Sequence, residues 1–197
     1  MTPDRLVHES LQFLATLSRR GFKRSVYLLA CKDGSMFLTS LSAGGQTFGL
    51  SKATEADVLP LIELMSNDPL RQGEYPEPHA NPDKYLRAFR TIDADPAQLL
   101  VVVKDEQHEI VATMQLTTIP GLSRGGSTRM LIEAVRVQES LRGKGIGSSM
   151  ILWAIAEAKR REVSLVQLTS DNTRTRAHKF YKQLGFTASH TGFKLKV

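Results

Sequence analysis

The sequence predicts a mixed α/β domain in which helices flank a central, mostly antiparallel sheet. Three observations predict this fold: apolar strand patterns that follow one another in mid-chain, helical periodicity between and after them, and a glycine-rich turn that joins a strand to a helix. The chain has 197 residues, which fits one domain of ordinary size with an appendage.

Composition excludes several classes of protein. A hydrophobic content of 41% and a charged content of 23% are typical of globular proteins. No stretch approaches the roughly 18 to 20 apolar residues that span a bilayer, so no membrane association is expected. The single cysteine, Cys31, excludes an internal disulfide framework and fits a reducing cytoplasm. The histidines lack ligand spacing, so we predict no metal site.

The net charge of +6 indicates an anionic ligand. Nucleic acid is disfavoured because the basic residues are scattered and aromatic residues make up only 7% of the chain. A basic protein that binds an anionic cofactor explains the charge equally well.

Residues 1–45 are predicted to form an N-terminal extension, helical or disordered, and residues 46–197 the main domain. Leu6, Phe13, Leu14 and Leu17 recur at helical spacing, and SLSAGGQ, residues 40–46, has the composition of a linker. The extension is interpreted as an appended helix, or as the product of a start codon assigned too far upstream.

The first elements of the main domain are a strand and two helices. FGLSK predicts the strand, and the helix after it has Thr54 as N-cap with Asp57 as capping partner. A loop rich in proline and polar residues leads to a second helix at Asn81, with Pro82 in its first turn.

The later elements alternate between strands and helices. QLLVVVK and EIVATMQLTTI predict two strands around the turn DEQH, and RMLIEAVRV predicts a third. A helix over about 145–161, the strand SLVQLTS, a helix over 174–184 and a closing strand pair in GFTASHTGFKLKV complete the expected order.

The turn RGKGIG, residues 142–147, is predicted to bind phosphate. A strand that ends in a glycine-rich turn and opens a helix presents unpaired N–H groups and the positive end of the helix dipole. The spacing does not fit a P-loop, because Lys144 is followed by glycine. It does not fit a dinucleotide fingerprint either, because Ser148 stands where the last glycine belongs.

Two motifs together resemble the GCN5-related N-acetyltransferase (GNAT) family. RGKGIG is similar to its pyrophosphate turn, and AHKFYKQLGF, residues 177–186, to its closing A-x-x-F-Y-x-x-x-G-F signature. The resemblance covers residues 48–197. It implies a central sheet with two splayed strands, residues 129–137 and 164–169, and acetyl-CoA as co-substrate.

The resemblance also implies which residues bind acetyl-CoA. The main chain of Val135 and Val137 would pair with the pantetheine arm as an added strand does. The pyrophosphate would lie in the turn, which comprises Arg142, Gly143, Lys144, Gly145, Ile146, Gly147 and Ser148. The chain departs from the family at Arg174, where many members carry a pantetheine-binding Asn.

Tyr181 and Glu133 are the candidate catalytic residues. Tyr181 matches the family tyrosine that protonates the departing thiolate, although a packing role beside Phe180 is the alternative. Glu133 interrupts an apolar strand and is a candidate base for the amine. If the strand alternates regularly, Glu133 shares a face with Leu131 and Val135 and reaches solvent instead.

Arg124, Arg129 and His190 are candidate residues for the acceptor. The arginines suit an anionic acceptor or the 3′-phosphate of coenzyme A, while His190 falls in the predicted closing hairpin. The C-terminal end is similar to aminoalkylphosphonate-type N-acetyltransferases, which implies a small amine as acceptor. Acetylation of a protein lysine or N-terminus, a non-catalytic acyl-CoA-binding regulator, and a homodimer stay open.

Overall fold

A computed structural model describes residues 29–30, 36–67, 81–195 and 197. The amphipathic N-terminal segment, residues 1–28, and the predicted loop over 68–80 lie outside the described residues. The fold is α/β, with helices on both faces of one central sheet, as the sequence predicts.

The sheet has seven strands whose spatial order is their order along the chain. All neighbours pair antiparallel except the last two, which are parallel. The strands are β1 (Leu29–Ala30), β2 (Met36–Ala43), β3 (Gln46–Lys52), β4 (Gln98–Lys104), β5 (Ile110–Ile119), β6 (Arg129–Val137) and β7 (Leu165–Leu168).

In the described part of the chain, the helices of nine or more residues are α1 (Val58–Ser66), α2 (Pro82–Ala94), α3 (Ile146–Arg160) and α4 (Thr175–Gln183). The capping predictions are confirmed. The Thr54 N–H donates to Asp57 Oδ2 at 2.8 Å, and the Asn81 side chain accepts from the N–H of Lys84 at 3.3 Å. Each bond satisfies a main-chain donor that the start of a helix leaves unpaired.

The two faces of the sheet carry separate hydrophobic clusters. Helix α3 covers one face, where Ile146, Met150 and Ala154 are buried against strands β2 to β6. Helices α1 and α2 cover the other face, where Ile62 and Phe89 pack around Val102. Val101 and Val103 belong to the first cluster and Val102 to the second, because successive side chains of a strand point to opposite faces.

The linker predicted at residues 40–46 is wrong. Residues 36–43 form β2, a two-residue turn at Gly44 and Gly45 follows, and β3 returns antiparallel beside β2. Leu41 and Ala43 are buried in the core, so the boundary predicted after residue 45 falls inside a hairpin of the sheet. The sequence signal that was missed is the alternation of Leu41 and Ala43 with the polar Ser40 and Ser42, which is typical of a strand. The N-terminal extension predicted over residues 1–45 otherwise stays a prediction, because residues 1–28 and 31–35 of it lie outside the described residues.

The predicted closing strand pair is also not found. Residues 187–195 contain no strand, and Phe193 and Leu195 are 93% and 88% exposed. The preceding residues, TASHTG, supply little apolar area, so a hairpin there would bury too little to offset the entropy of ordering it.

Candidate active site

The glycine turn has the geometry of an anion site. Gly143 and Gly145 have φ of +79° and +95°, a region that favours glycine. Gly145 is the N-cap of α3, and the first bond within the helix runs from the N–H of Ser149 to the Gly145 carbonyl at 3.0 Å. Helix geometry therefore leaves the N–H groups of Ile146, Gly147 and Ser148 without a partner inside α3.

Gly147 is the point where this turn packs against the last helix. A methyl group at this position would lie 3.5 Å from Phe180 Cζ and 3.8 Å from Val137 Cγ2, which is ordinary contact. The site therefore has room for glycine or alanine but not for a larger side chain. Phe180, on α4, packs directly over the start of α3.

Strand β6 pairs with β7 only over the four residues of β7, which leaves a gap beside the rest of β6. Their paired residues run from Arg129 with Leu165 to Ile132 with Leu168, where β7 ends. The N–H of Gln138 donates to the Val111 carbonyl on β5 at 2.8 Å. Because main-chain polar groups alternate along a strand, those of Val135 and Val137 face the opposite, open side. This is the gap predicted for the pantetheine arm.

Two guanidinium groups contact the main chain along this gap. Arg136 Nη1 donates to the Val135 carbonyl at 2.8 Å, and Arg142 Nε donates to the Val137 carbonyl at 3.1 Å. The side chain of Arg142 remains 48% exposed, so its charge stays accessible to an anion at the turn.

A β-bulge at Ala134 changes which residues share a face of β6. Thr113 pairs with Arg136 but Gln115 pairs with Glu133, so β6 has one extra residue here, and Ala134 has φ of +51°. Val135 therefore joins the α3 face, and Glu133 lies on the opposite, α1–α2 face. The expectation that Glu133 and Val135 share a face is wrong because regular alternation stops at the bulge.

Tyr181 lies in an aromatic cluster on the α3 face. Its ring is 5.0 Å from that of Phe180 and 5.9 Å from that of Phe186, both edge-to-face. Burial raises the pKa of Tyr181, and the guanidinium groups of Arg136 and Arg174 offset part of the rise. A raised pKa keeps the hydroxyl protonated at neutral pH, as a proton donor must be.

Glu133 and Tyr181 lie on opposite faces of the sheet. A substrate that contacts both must therefore pass through the gap between β6 and β7. Glu133 is exposed, and the residue opposite it on the neighbouring strand β5 is Gln115.

Three polar side chains beside Glu133 were not identified from the sequence. Gln115 Nε2 and Thr117 Oγ1 both donate to Gln98 Oε1, at 2.9 and 2.8 Å. They lie on the Glu133 face and form a partly buried polar surface. Their signal was the alternation of Thr113, Gln115 and Thr117 in an otherwise apolar strand.

Arg124 and Arg129 lie at the other end of β6 from the glycine turn. Arg124 has φ of +55° in a helical turn at Ser123–Gly126, and both side chains are exposed. Arg129 precedes Val137 by eight residues, or about 26 Å of strand. This distance separates both arginines from the pyrophosphate turn and favours a role with the acceptor.

Three further polar side chains, His178, Asp171 and His190, have local hydrogen-bond partners. His178 Nε2 lies 2.9 Å from the Asp171 carbonyl, which fits a structural hydrogen bond. Asp171 Oδ1 accepts from the N–H of Thr173 at 2.9 Å, and Arg174 is the N-cap of α4. His190 is exposed in the C-terminal segment, where its Nδ1 lies 2.7 Å from Ser189 Oγ.

Two further properties concern the described part of the chain. None of its helices is long and apolar enough to cross a membrane. Within the same residues, no group of three or more His, Cys, Asp or Glu side chains is placed to hold a metal ion.

Comparison with protein families gives a match over most of this fold. The sequence model of the Acetyltransferase (GNAT) family matches residues 63–186. A curated relative, the aminoalkylphosphonate N-acetyltransferase of Salmonella typhimurium, is 36% identical over 62 residues, which are 32% of this chain. The match spans 40% of the length of that relative.

Comparison with solved structures gives similar folds over most of the chain. A structure titled as a transcriptional regulator from Bacillus halodurans is 39% identical, with a TM-score of 0.72, and the match covers 76% of this chain and 99% of the other. A putative acetyltransferase from Agrobacterium tumefaciens is 28% identical, with a TM-score of 0.66 and coverage of 75% and 99%.

Proposed function

Because the chain belongs to the acetyltransferase (GNAT) family, we propose that it is an N-acetyltransferase, which transfers the acetyl group of acetyl-CoA to the amine of a small molecule. The amine attacks the thioester directly, and no acetyl-enzyme forms. One observation carries this proposal: the gap between β6 and β7 has an anion-binding turn at one end and a protonated tyrosine in its wall.

The turn supports binding of acetyl-CoA through its main chain. The N–H groups at the start of α3 would donate to the pyrophosphate, and Arg142 and Lys144 would add positive charge. Val135 and Val137 would pair with the amides of pantetheine, since their own main-chain groups face the gap.

Glu133 and Tyr181, which lie on opposite faces of the sheet, would act as general base and general acid. Glu133 accepts a proton from the ammonium form of the acceptor, directly or through water, because only a neutral amine attacks a thioester. The new C–N bond forms as the C–S bond breaks. Tyr181 donates its proton to the departing thiolate, and the second proton of the attacking nitrogen returns to the Tyr181 phenolate, directly or through water, as the neutral amide forms.

Charge and polarity favour a small acceptor that carries a negative group. Arg124 and Arg129 flank the acceptor end of β6, and Gln98, Gln115 and Thr117 offer neutral hydrogen-bonding groups beside Glu133. The similarity to an aminoalkylphosphonate N-acetyltransferase supports the same class. The single Cys31 supports the cytoplasm as the compartment.

A thiol-release screen tests this function. Acetyl-CoA is incubated with aminoalkylphosphonates, amino acids, polyamines and lysine peptides, and N-acetyl products are measured alongside free thiol. We expect release in proportion to product with a small amine, most rapidly with anionic ones. Acetylation of lysine peptides alone would contradict the small-molecule assignment.

A regulatory module that binds acyl-CoA is the second candidate, because one similar structure is titled as a transcriptional regulator. Tyr181 argues against it, since a sensor needs no acid at the sulfur. Tight binding of acetyl-CoA with no thiol release across the whole panel would favour the regulator.

A further inference from the structure

The hairpin of β2 and β3 touches the glycine turn at its tip, residues 42–45. Ser149 Oγ, in the first turn of α3, donates to the Ser42 carbonyl at 3.1 Å. A methyl group on Gly44 would lie 3.3 Å from both Cβ and the carbonyl oxygen of Lys144. A methyl group on Gly145 would lie 3.8 Å from Ala43 Cβ.

The hairpin tip is a firm support for this turn. Leu41 and Ala43 are buried beneath α3, which anchors the end of β2 next to the tip. The approach of the tip to Lys144 depends on the absence of a side chain at Gly44, because contacts of 3.3 Å are already tight. The turn itself contains two glycines with positive φ, so it needs an external contact to hold one geometry.

We propose that the hairpin tip, residues 42–45, is a positioning element of the cofactor site that fixes the main chain of the Arg142–Ser148 turn for pyrophosphate. Membership of the family does not assign this role, because the hairpin precedes the matched residues 63–186. The inference rests on the proposed binding of acetyl-CoA at this turn.

A pair of neighbouring glycines provides the test. Gly44 and Gly45 both have positive φ, +57° and +77°, so alanine strains the backbone at both. Only at Gly44 does the methyl group meet Lys144, whereas at Gly45 it meets nothing within 4 Å. By calorimetric titration, we expect Gly44→Ala to weaken acetyl-CoA binding about tenfold relative to Gly45→Ala.

A pair of serines provides an independent test should Gly44→Ala fail to fold. Ser149→Ala removes the bond to Ser42, and Ser164→Ala removes an equivalent bond to the Thr128 carbonyl, 2.9 Å long, at the far end of β7. We expect a loss of affinity for acetyl-CoA of about fivefold in the first variant and none in the second.

A donor without pyrophosphate separates positioning from general damage. With S-acetylpantetheine, kcat/KM should agree within about twofold among the parent, Gly44→Ala and Ser149→Ala. Equal loss with both donors would overturn the proposal, as would equal acetyl-CoA affinity in Gly44→Ala and Gly45→Ala. Failure of the parent protein to bind acetyl-CoA would instead contradict the proposed function.

Discussion

The two ends of β6 differ in the chemical groups that they present to solvent. At the C-terminal end, the glycine turn and the start of α3 offer main-chain N–H groups. The hairpin tip contacts this end through the hydrogen bond from Ser149 to Ser42. At the N-terminal end, exposed Arg124 and Arg129 and the polar surface around Gln115 offer side chains only.

This difference indicates where specificity resides. A main-chain site depends on backbone geometry, so it suits a co-substrate shared across a family. A side-chain site changes with each substitution, so it determines the acceptor. Substitutions at the two ends of β6 should therefore act on different substrates.

The largest expected effect is that of Gly145→Glu. The carboxylate would stand where the pyrophosphate binds, and positive φ disfavours any side chain there. We expect affinity for acetyl-CoA to fall about a hundredfold or more by calorimetric titration. The matched control is Gly125→Glu, at φ of +72° beside Arg124, which should bind acetyl-CoA normally. Unchanged affinity in Gly145→Glu would disprove the assignment of the turn.

The second largest effect is expected for Tyr181, the proposed general acid. Tyr181→Phe keeps the ring but removes the hydroxyl, so single-turnover acetyl transfer should slow by about 10²-fold, the lower end for a lost general acid. Affinity for acetyl-CoA should not change. Tyr85→Phe, on α2, is the control and should react at the parent rate. A Tyr181→Phe variant as fast as the parent would leave Tyr181 a packing residue.

The pH dependence gives a separate test of Tyr181. The hydroxyl donates only when protonated, and burial raises its pKa above the ordinary value of about 10. The transfer rate should therefore fall only at pH above about 10, as the hydroxyl ionises. This alkaline limb should be absent from the Tyr181→Phe profile, and its persistence there would assign the limb to another group.

The third effect is on stability. Deletion of residues 1–45 removes β2, including the buried Leu41, and should cost about 3 kcal/mol or more of the free energy of unfolding. The melting temperature should fall by roughly 5–15 °C, with weaker binding of acetyl-CoA. Deletion of residues 1–28 should leave both unchanged. Equal melting temperatures for the two deletions would show that β2 adds nothing to the core.

The smallest effect is expected at the acceptor end. Arg129→Ala should raise the KM for an anionic amine by roughly threefold to tenfold, as loss of one exposed charge contact does. The KM for acetyl-CoA should stay the same, since Arg129 is remote from the turn. Lys159→Ala, at the end of α3, controls for net charge. A rise in KM for acetyl-CoA would place Arg129 with the cofactor instead.

The sequence predicted the cofactor end better than the acceptor end. Glycines at alternate positions before a helix start form a spacing that can be recognised along the chain, whereas Tyr181 was predicted only from the family resemblance of AHKFYKQLGF. The polar surface at Gln98, Gln115 and Thr117 joins two strands: alternation along β5 signals Gln115 and Thr117, but no local pattern signals their contact with Gln98.

Two errors have local physical causes. The bulge at Ala134 shifts the alternation of β6 by one residue, and nothing in EAVRV distinguishes a bulged strand from a regular one. Residues 40–46 have the composition of a linker, but tertiary burial of Leu41 and Ala43 holds them in the sheet.

The strands lie side by side in the order in which the ribosome makes them, and this has a consequence for folding during synthesis. Each strand from β2 to β6 pairs with the strand made just before it, so the sheet can grow along one edge as the chain leaves the ribosome. Strand β7 and helix α4 come last, and they supply the far wall of the gap and Tyr181. A nascent chain that ends after α3 therefore has strands β1 to β6 and its glycine turn, but it lacks Tyr181, the proposed acid, until the final segment is made.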